Sequence, residues 1–222
     1  MDDRTPLRLT RRHLFGMSAA WLALGGRAAS AQNRVSADEA LKRLMDGNAR
    51  FSADPNKAYE DDLRVLKEKS TDKQEPFAAV LACADSRVPV EIAFDQSIGH
   101  LFVNRVAGNV ASGEIMASLE YGVAVLGIRL IMVLGHENCG AVSATIAMKD
   151  APGQISSLYR HIRPAVDRAG TNLDAAIRAN ARLQAGLLKT SSPVIAGAIG
   201  RNEVKVVAAY YRLSNGQVSL LE

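Results

Sequence analysis

Four short apolar runs constrain the fold of this 222-residue chain more than any other feature: residues 77–84, 101–106, 130–134 and 204–210. Each is nearly continuous in Val, Ile, Leu, Ala and Phe, the pattern of strands buried on both faces of a parallel sheet. Helical periodicity fills the gaps, at 112–126, 139–149 and 172–188, with a shorter helix near 194–199. Strand–helix alternation implies right-handed crossovers and an α/β fold. The turn residues Ser214-Asn215-Gly216 precede a last run at 217–221, so a hairpin should add an antiparallel strand at one edge. The expected architecture is a mostly parallel four-stranded sheet with an antiparallel edge strand, helices on both faces and an N-terminal helical arm. The arm spans 36–70. Its first helix covers 36–51, with Ser36-Ala-Asp-Glu39 resembling a capping box and Ala40, Leu41, Leu44, Met45 and Ala49 at helical spacing. Its second covers 59–69, with Leu63 and Leu66 on one face, and Asp54-Pro55-Asn56 separates the two.

Residues 1–31 read differently. Arg11-Arg12 precede a moderately apolar stretch, 15–25, and Ala29-Ser30-Ala31 offers a small-residue cleavage pattern. This segment resembles a twin-arginine export signal, which implies passage through that machinery and a periplasmic location. The stretch is short for a membrane span. The same segment carries five of the arginines and two of the acids, so residues 32–222 have a net charge of only +1. A near-neutral domain with 5% aromatic residues gives no argument for nucleic acid as a partner. Residues 32–222 are expected to form one domain.

The chemistry concentrates at the ends of the apolar runs. The first ends in Cys83-Ala-Asp85-Ser-Arg87, the second in Asn104-Arg105-Val106-Ala107-Gly108-Asn109, and the third leads into Gly135-His136-Glu-Asn-Cys139-Gly140. Open α/β sheets build their sites beyond the carboxyl ends of the strands. Two thiolates and an imidazole are ligands for a borderline-to-soft metal, most often zinc, and three protein ligands leave a fourth position for water. A helix start at Cys139 also favours its thiolate. An exported chain with two cysteines can instead form one disulfide.

On these stretches the sequence resembles the β-class carbonic anhydrases. The matching motifs are Cys83-Ala-Asp-Ser-Arg-Val88, Phe102-Val-Asn-Arg-Val-Ala-Gly-Asn109, Ser118-Leu-Glu-Tyr121 and Gly135-His-Glu-Asn-Cys-Gly140, within a likeness covering roughly residues 36–222. The resemblance implies one Zn2+ per chain held by Cys83, His136 and Cys139. It implies that Asp85 and Arg87 form a catalytic dyad orienting a zinc-bound hydroxide toward carbon dioxide. Asp85 can also serve as a fourth ligand in a closed state. Phe102, Ala107 and Tyr121 match positions lining the carbon dioxide pocket, with Gly108 and Gly140 beside them. Gln74 matches a glutamine that reaches into a neighbouring subunit, so a homodimer or tetramer is implied. Carbon dioxide and bicarbonate are the implied ligands. His100, Val106 and Ala141 depart from frequent family residues without removing a ligand.

Two other functions fit the residues. One is a non-catalytic zinc protein that binds bicarbonate or another small anion. The other is a thiol redox protein using Cys83 and Cys139, against which stands the absence of a Cys-x-x-Cys pair. His100 and His161 have no companion ligands in sequence and read as structural or exposed.

Overall fold

The computed structural model describes residues 35–54, 74–148 and 150–222. Its elements are α1 (Ala37–Ala53), β1 (Ala78–Ala82), α2 (Val90–Ala93), β2 (Leu101–Arg105), α3 (Gly113–Ala124), β3 (Leu130–His136), α4 (Gly140–Ala147), α5 (Tyr159–Ala169), α6 (Leu173–Ser191), α7 (Pro193–Gly200), β4 (Lys205–Tyr211) and β5 (Val218–Leu221). Short 3-10 turns cover Ala107–Asn109 and Ile155–Leu158. The export-like segment and the expected helix at 59–69 lie outside the described residues. Among the described residues no helix is long and apolar enough to cross a membrane.

The sheet order is β2-β1-β3-β4-β5, with four parallel strands and β5 antiparallel at the edge. All five residues of β1 and all seven of β3 are buried, as strands covered on both faces must be. Alternate side chains divide the core. Ala78, Val80, Ala82, Leu130, Met132 and Leu134 pack under α1 and α2. Ala79, Leu81, Ile131 and Val133 face the other way, against Leu119, Ala181, Leu188 and Ile195 of α3, α6 and α7. A third cluster, built from Val142, Ile162, Ile177 and Tyr210, closes around Cys83 and Cys139.

The strand order reverses between β2 and β3, both of which flank β1. Successive crossovers therefore part at the carboxyl edge of the β1–β3 pair, the place where open sheets form a crevice. The pairing brings Ala82 opposite Leu134, so Cys83 leaves β1 one residue beyond the point where β3 continues to His136.

Helix α1 begins as the capping pattern indicates: the Glu39 N–H donates to Ser36 Oγ at 3.1 Å. It lies on its own sheet, burying Ala40 and Leu44 completely. Asn48 fastens its end, donating to Ala93 O and Gly216 O, each at 2.8 Å, and accepting from Val218 N at 2.7 Å. Gly47 permits this approach, because a Cβ there would stand 1.8 Å from the Phe94 carbonyl oxygen.

The structure adds two helices that the periodicity did not reveal, the one-turn α2 and the longer α5, and moves several ends by a few residues. Strand β3 runs past Leu134 to His136 because Gly135 and His136 continue the ladder opposite Tyr210 and Tyr211.

Backbone cannot yield to a new methyl group as a flexible side chain can. Gly47→Ala is therefore expected to lower stability by about 1–3 kcal/mol, the usual cost of overpacking. A thermal or urea unfolding midpoint indistinguishable from the parent would contradict this packing of α1.

Candidate metal centre

Cys83, His136 and Cys139 come from three different places and meet at one. Cys83 follows the last residue of β1, His136 ends β3, and Cys139 is the N-cap of α4. Their ligand atoms all lie within 4.8 Å of one another, and all three residues are buried. Both cysteines are free thiols, so the disulfide alternative is not the observed state.

The local chain geometry explains the convergence. Asn138 takes a left-handed conformation, φ 54°, which turns the chain between His136 and the start of α4. Short polar side chains tolerate this region better than most. The His136 Nδ1 lies 2.8 Å from Glu137 O, which makes Nδ1 the protonated nitrogen and leaves the Nε2 lone pair for the cluster. Glu137 is held in turn, its carboxylate accepting from Ser214 N at 3.0 Å and its N–H donating to Tyr211 O at 2.9 Å.

His136 is 0% exposed, and its Nε2 has no hydrogen-bond partner among the described residues. A buried polar atom of this kind is costly unless something takes its lone pair. The sulfurs tell the same story. The neighbouring Cys139 thiol pulls the Cys83 pKa down against its burial, with smaller help from His136 and the Gly108 N–H. Cys139 moves the opposite way: the adjacent Cys83 sulfur and its burial raise its pKa, outweighing the favourable amides of Val142 and Ala141. Two adjacent thiolates repel unless a cation lies between them. Two sulfurs and one nitrogen, buried and aimed at one point, fit zinc.

Asp85 stands beside this cluster, its Oδ2 3.8 Å from His136 Nε2. Arg87 grips it three ways. The backbone N donates to Oδ1 at 3.0 Å, Nε to Oδ1 at 2.9 Å and the guanidinium NH2 to Oδ2 at 2.8 Å. These hydrogen bonds, the side-chain ones first, hold the Asp85 carboxyl well below the usual carboxylate range. The Arg87 NH2 also reaches Asn138 O at 3.4 Å, linking the dyad to the β3–α4 turn.

The remaining sequence candidates are distributed unevenly. Gly108 is buried, and its N–H donates to Cys83 Sγ at 3.3 Å. Ala107 precedes it in the same 3-10 turn. Gly140 opens α4, where an added Cβ would meet nothing within 4 Å. Phe102 and Tyr121 form a tilted ring pair with centroids 6.4 Å apart, but Tyr121 is 47% exposed. Gln74 is exposed and precedes β1. His100 packs its ring near Phe77 at 6.3 Å, and His161 accepts from Arg160 at 3.2 Å, so neither joins the cluster.

Three supporting residues had no role assigned from the sequence, and only Arg105 stood in a stretch singled out there. Arg105 bonds the backbone carbonyls of Cys83, at 3.0 Å, and of Asp85, fixing the loop between them. Asn180 and Gln184 of α6 bond the 107–111 loop. The only signal for the last two was a pair of amides four residues apart in a helix, which places them on one face. Arg105 stood in the 104–109 stretch at the end of the second apolar run, but nothing in its spacing showed which atoms it holds.

Comparison with known proteins gives a consistent result. The carbonic anhydrase family profile matches residues 78–218. A carbonic anhydrase of Mycolicibacterium smegmatis is 36% identical over 193 residues, spanning 82% of this chain and 91% of that protein. The solved structure of the β-carbonic anhydrase CcaA aligns with a TM-score of 0.66 at 26% identity, covering 81% of this chain and 86% of that one. A structure from Sordaria macrospora, described as one of two tetrameric β-carbonic anhydrases, shares the fold: TM-score 0.61, 17% identity, 95% of each chain covered.

Removing one sulfur from a three-ligand set should release the ion. Cys139→Ser protein, dialysed against a chelator that leaves the parent loaded, is expected to fall from stoichiometric zinc to traces by atomic emission. Full retention of zinc would exclude Cys139 as a ligand.

Proposed function

The chain belongs to the β-class carbonic anhydrases, zinc enzymes that hydrate carbon dioxide reversibly, and from that premise we propose that Asp85 and Arg87 run the reaction at the Cys83–His136–Cys139 centre with the fourth metal position left to water. The observation that carries this reading is the double grip of Arg87 on both oxygens of Asp85, right beside the ligand cluster. The bound metal supplies the acidity that makes water a nucleophile near neutral pH.

The chain's own residues do the rest. Two thiolate ligands leave the metal less electrophilic than three neutral imidazoles would, so an orienting acceptor is useful. Asp85 is that acceptor. Its carboxylate, kept ionised by Arg87, receives the O–H of the attacking water and turns the remaining lone pair outward. Arg87 also keeps Asp85 from swinging inward to become a ligand itself. An aspartate held so acidic does not store the released proton, which passes to solvent or buffer. Gly108 and Gly140 carry no side chain beside the centre. Ala107 and the ring pair Phe102–Tyr121 supply apolar surface for an uncharged substrate.

The half-exposed Tyr121 and the exposed Gln74 make sense in an assembly. A second copy covering α3 would enclose the ring pair, and Gln74 would then serve a neighbour's pocket. The tetrameric relative with the same fold supports an oligomer. Arg11-Arg12 and the apolar stretch after them support export to the periplasm as a folded, metal-loaded protein.

Asp85→Asn keeps the shape and removes the charged acceptor. Zinc content is expected to stay stoichiometric while the carbon dioxide hydration rate, followed by stopped-flow pH indicator, falls by about 10²–10⁴-fold. A zinc-loaded variant with parental activity would remove Asp85 from the mechanism. A zinc-loaded parent with no hydration at any pH from neutral to alkaline would favour the anion-binding alternative.

A further inference from the structure

The loop that carries Gly108 has little to hold it. Gly108 and Asn109 both take left-handed conformations, φ 75° and 45°, and no ladder continues through them. Their local backbone bonds are Val106 N to Ala82 O at 3.2 Å and Asn109 N to Val106 O at 2.9 Å. Yet the Gly108 N–H points at Cys83 Sγ from 3.3 Å. Helix α6 supplies the missing grip. Asn180 Nδ2 donates to Gly108 O at 2.9 Å, and Gln184 Oε1 accepts from Ala111 N at 2.9 Å. Gln184 Nε2 donates to Asn180 Oδ1 and to His161 O, both at 3.0 Å, tying the two amides together and to α5. Both side chains are 0% exposed.

An apolar pair at these positions would pack a helix against a sheet without desolvating two amides. A fully bonded buried network instead specifies one geometry. That geometry fixes the 108–109 peptide through its carbonyl and, across the Gly108 Cα, the 107–108 peptide whose N–H meets a metal ligand.

We infer that Asn180 and Gln184 are positioning residues for the metal centre: through the 107–111 loop they aim the Gly108 N–H at the Cys83 sulfur, and so set how strongly that ligand donates to the metal. The inference rests on Cys83 being a ligand. The physical link is short. A hydrogen bond to a thiolate withdraws electron density from sulfur, and partners of this outer kind tune metals as well as orient ligands. Gly108 itself cannot change freely, since a Cβ there would meet Ile162 Cδ1 at 2.7 Å. The loop is thus held between Ile162 on one side and the two amides on the other.

Cobalt(II) in place of zinc makes the sulfur donation visible as a thiolate-to-metal charge-transfer band. In Asn180→Asp the donor to Gly108 O is replaced by a repelling oxygen, and the band is expected to move to longer wavelength as Cys83 loses its N–H. Gln184→Glu keeps the acceptor for Ala111 N and loses the amide donors, so a smaller shift in the same direction is expected; it carries the test alone if Asn180→Asp does not fold. Thr145→Val is the control. Thr145 is equally buried, donates to Ala141 O at 2.8 Å within α4, and its loss should lower the melting temperature without moving the band. Parental band positions in folded Asn180→Asp or Gln184→Glu, whatever their melting temperatures, would overturn the inference and leave the ligand set intact. A parent protein that takes up cobalt with no thiolate band would overturn the ligand set, and this inference with it.

Discussion

Everything at this site depends on the lateral pairing of β1 with β3. Parallel register fixes Ala82 beside Leu134, and the next residues of each strand then deliver a thiol and an imidazole to one point. No local motif could do this, because Cys83 and His136 are 53 positions apart. The sheet supplies the proximity, and the core around it supplies the rigidity. His136 pays for the arrangement with a buried nitrogen that has no partner among the described residues, a cost that an ion at the centre of the cluster would relieve.

Around that centre the chain arranges three kinds of support. The β3–α4 turn presents His136 and Cys139 together, with Glu137 anchored to the 212–216 turn. Charged hydrogen bonds fix Asp85 and its loop, from Arg87 on the side chain and Arg105 on the backbone. Buried amides of α6 fix the Gly108 loop. The support grows less charged with depth, as it must: guanidinium groups stay near solvent, while neutral amides can be buried completely if every donor and acceptor is matched.

Legibility in the sequence follows the same division. Strands β1 and β3 were legible because a strand covered on both faces admits little but apolar residues, whereas β2, at the open edge, is mostly half-buried. The metal ligands were legible because soft side chains rarely gather by accident at strand ends. The Asp85–Arg87 pair lies within a single loop, so its geometry is local, and its spacing permitted the bidentate contact now seen. Helix α5 was not legible: Pro164 interrupts it and arginines surround a narrow buried stripe of Ile162, Ala165 and Val166. The roles of Arg105, Asn180 and Gln184 were invisible for a different reason. Each acts on backbone atoms far along the chain, and a carbonyl or amide leaves no mark in the residue sequence. Tyr121 and Gln74 are exposed in the single chain, so the pocket roles proposed for them require a second copy to cover them.

The account stands or falls on what surrounds the zinc. X-ray absorption at the zinc edge of the purified, metal-loaded protein counts those neighbours directly. Two sulfur atoms at about 2.3 Å, one imidazole nitrogen at about 2.0–2.1 Å and one further light atom are the expected shell. A shell without sulfur, or one with a single sulfur, would contradict it.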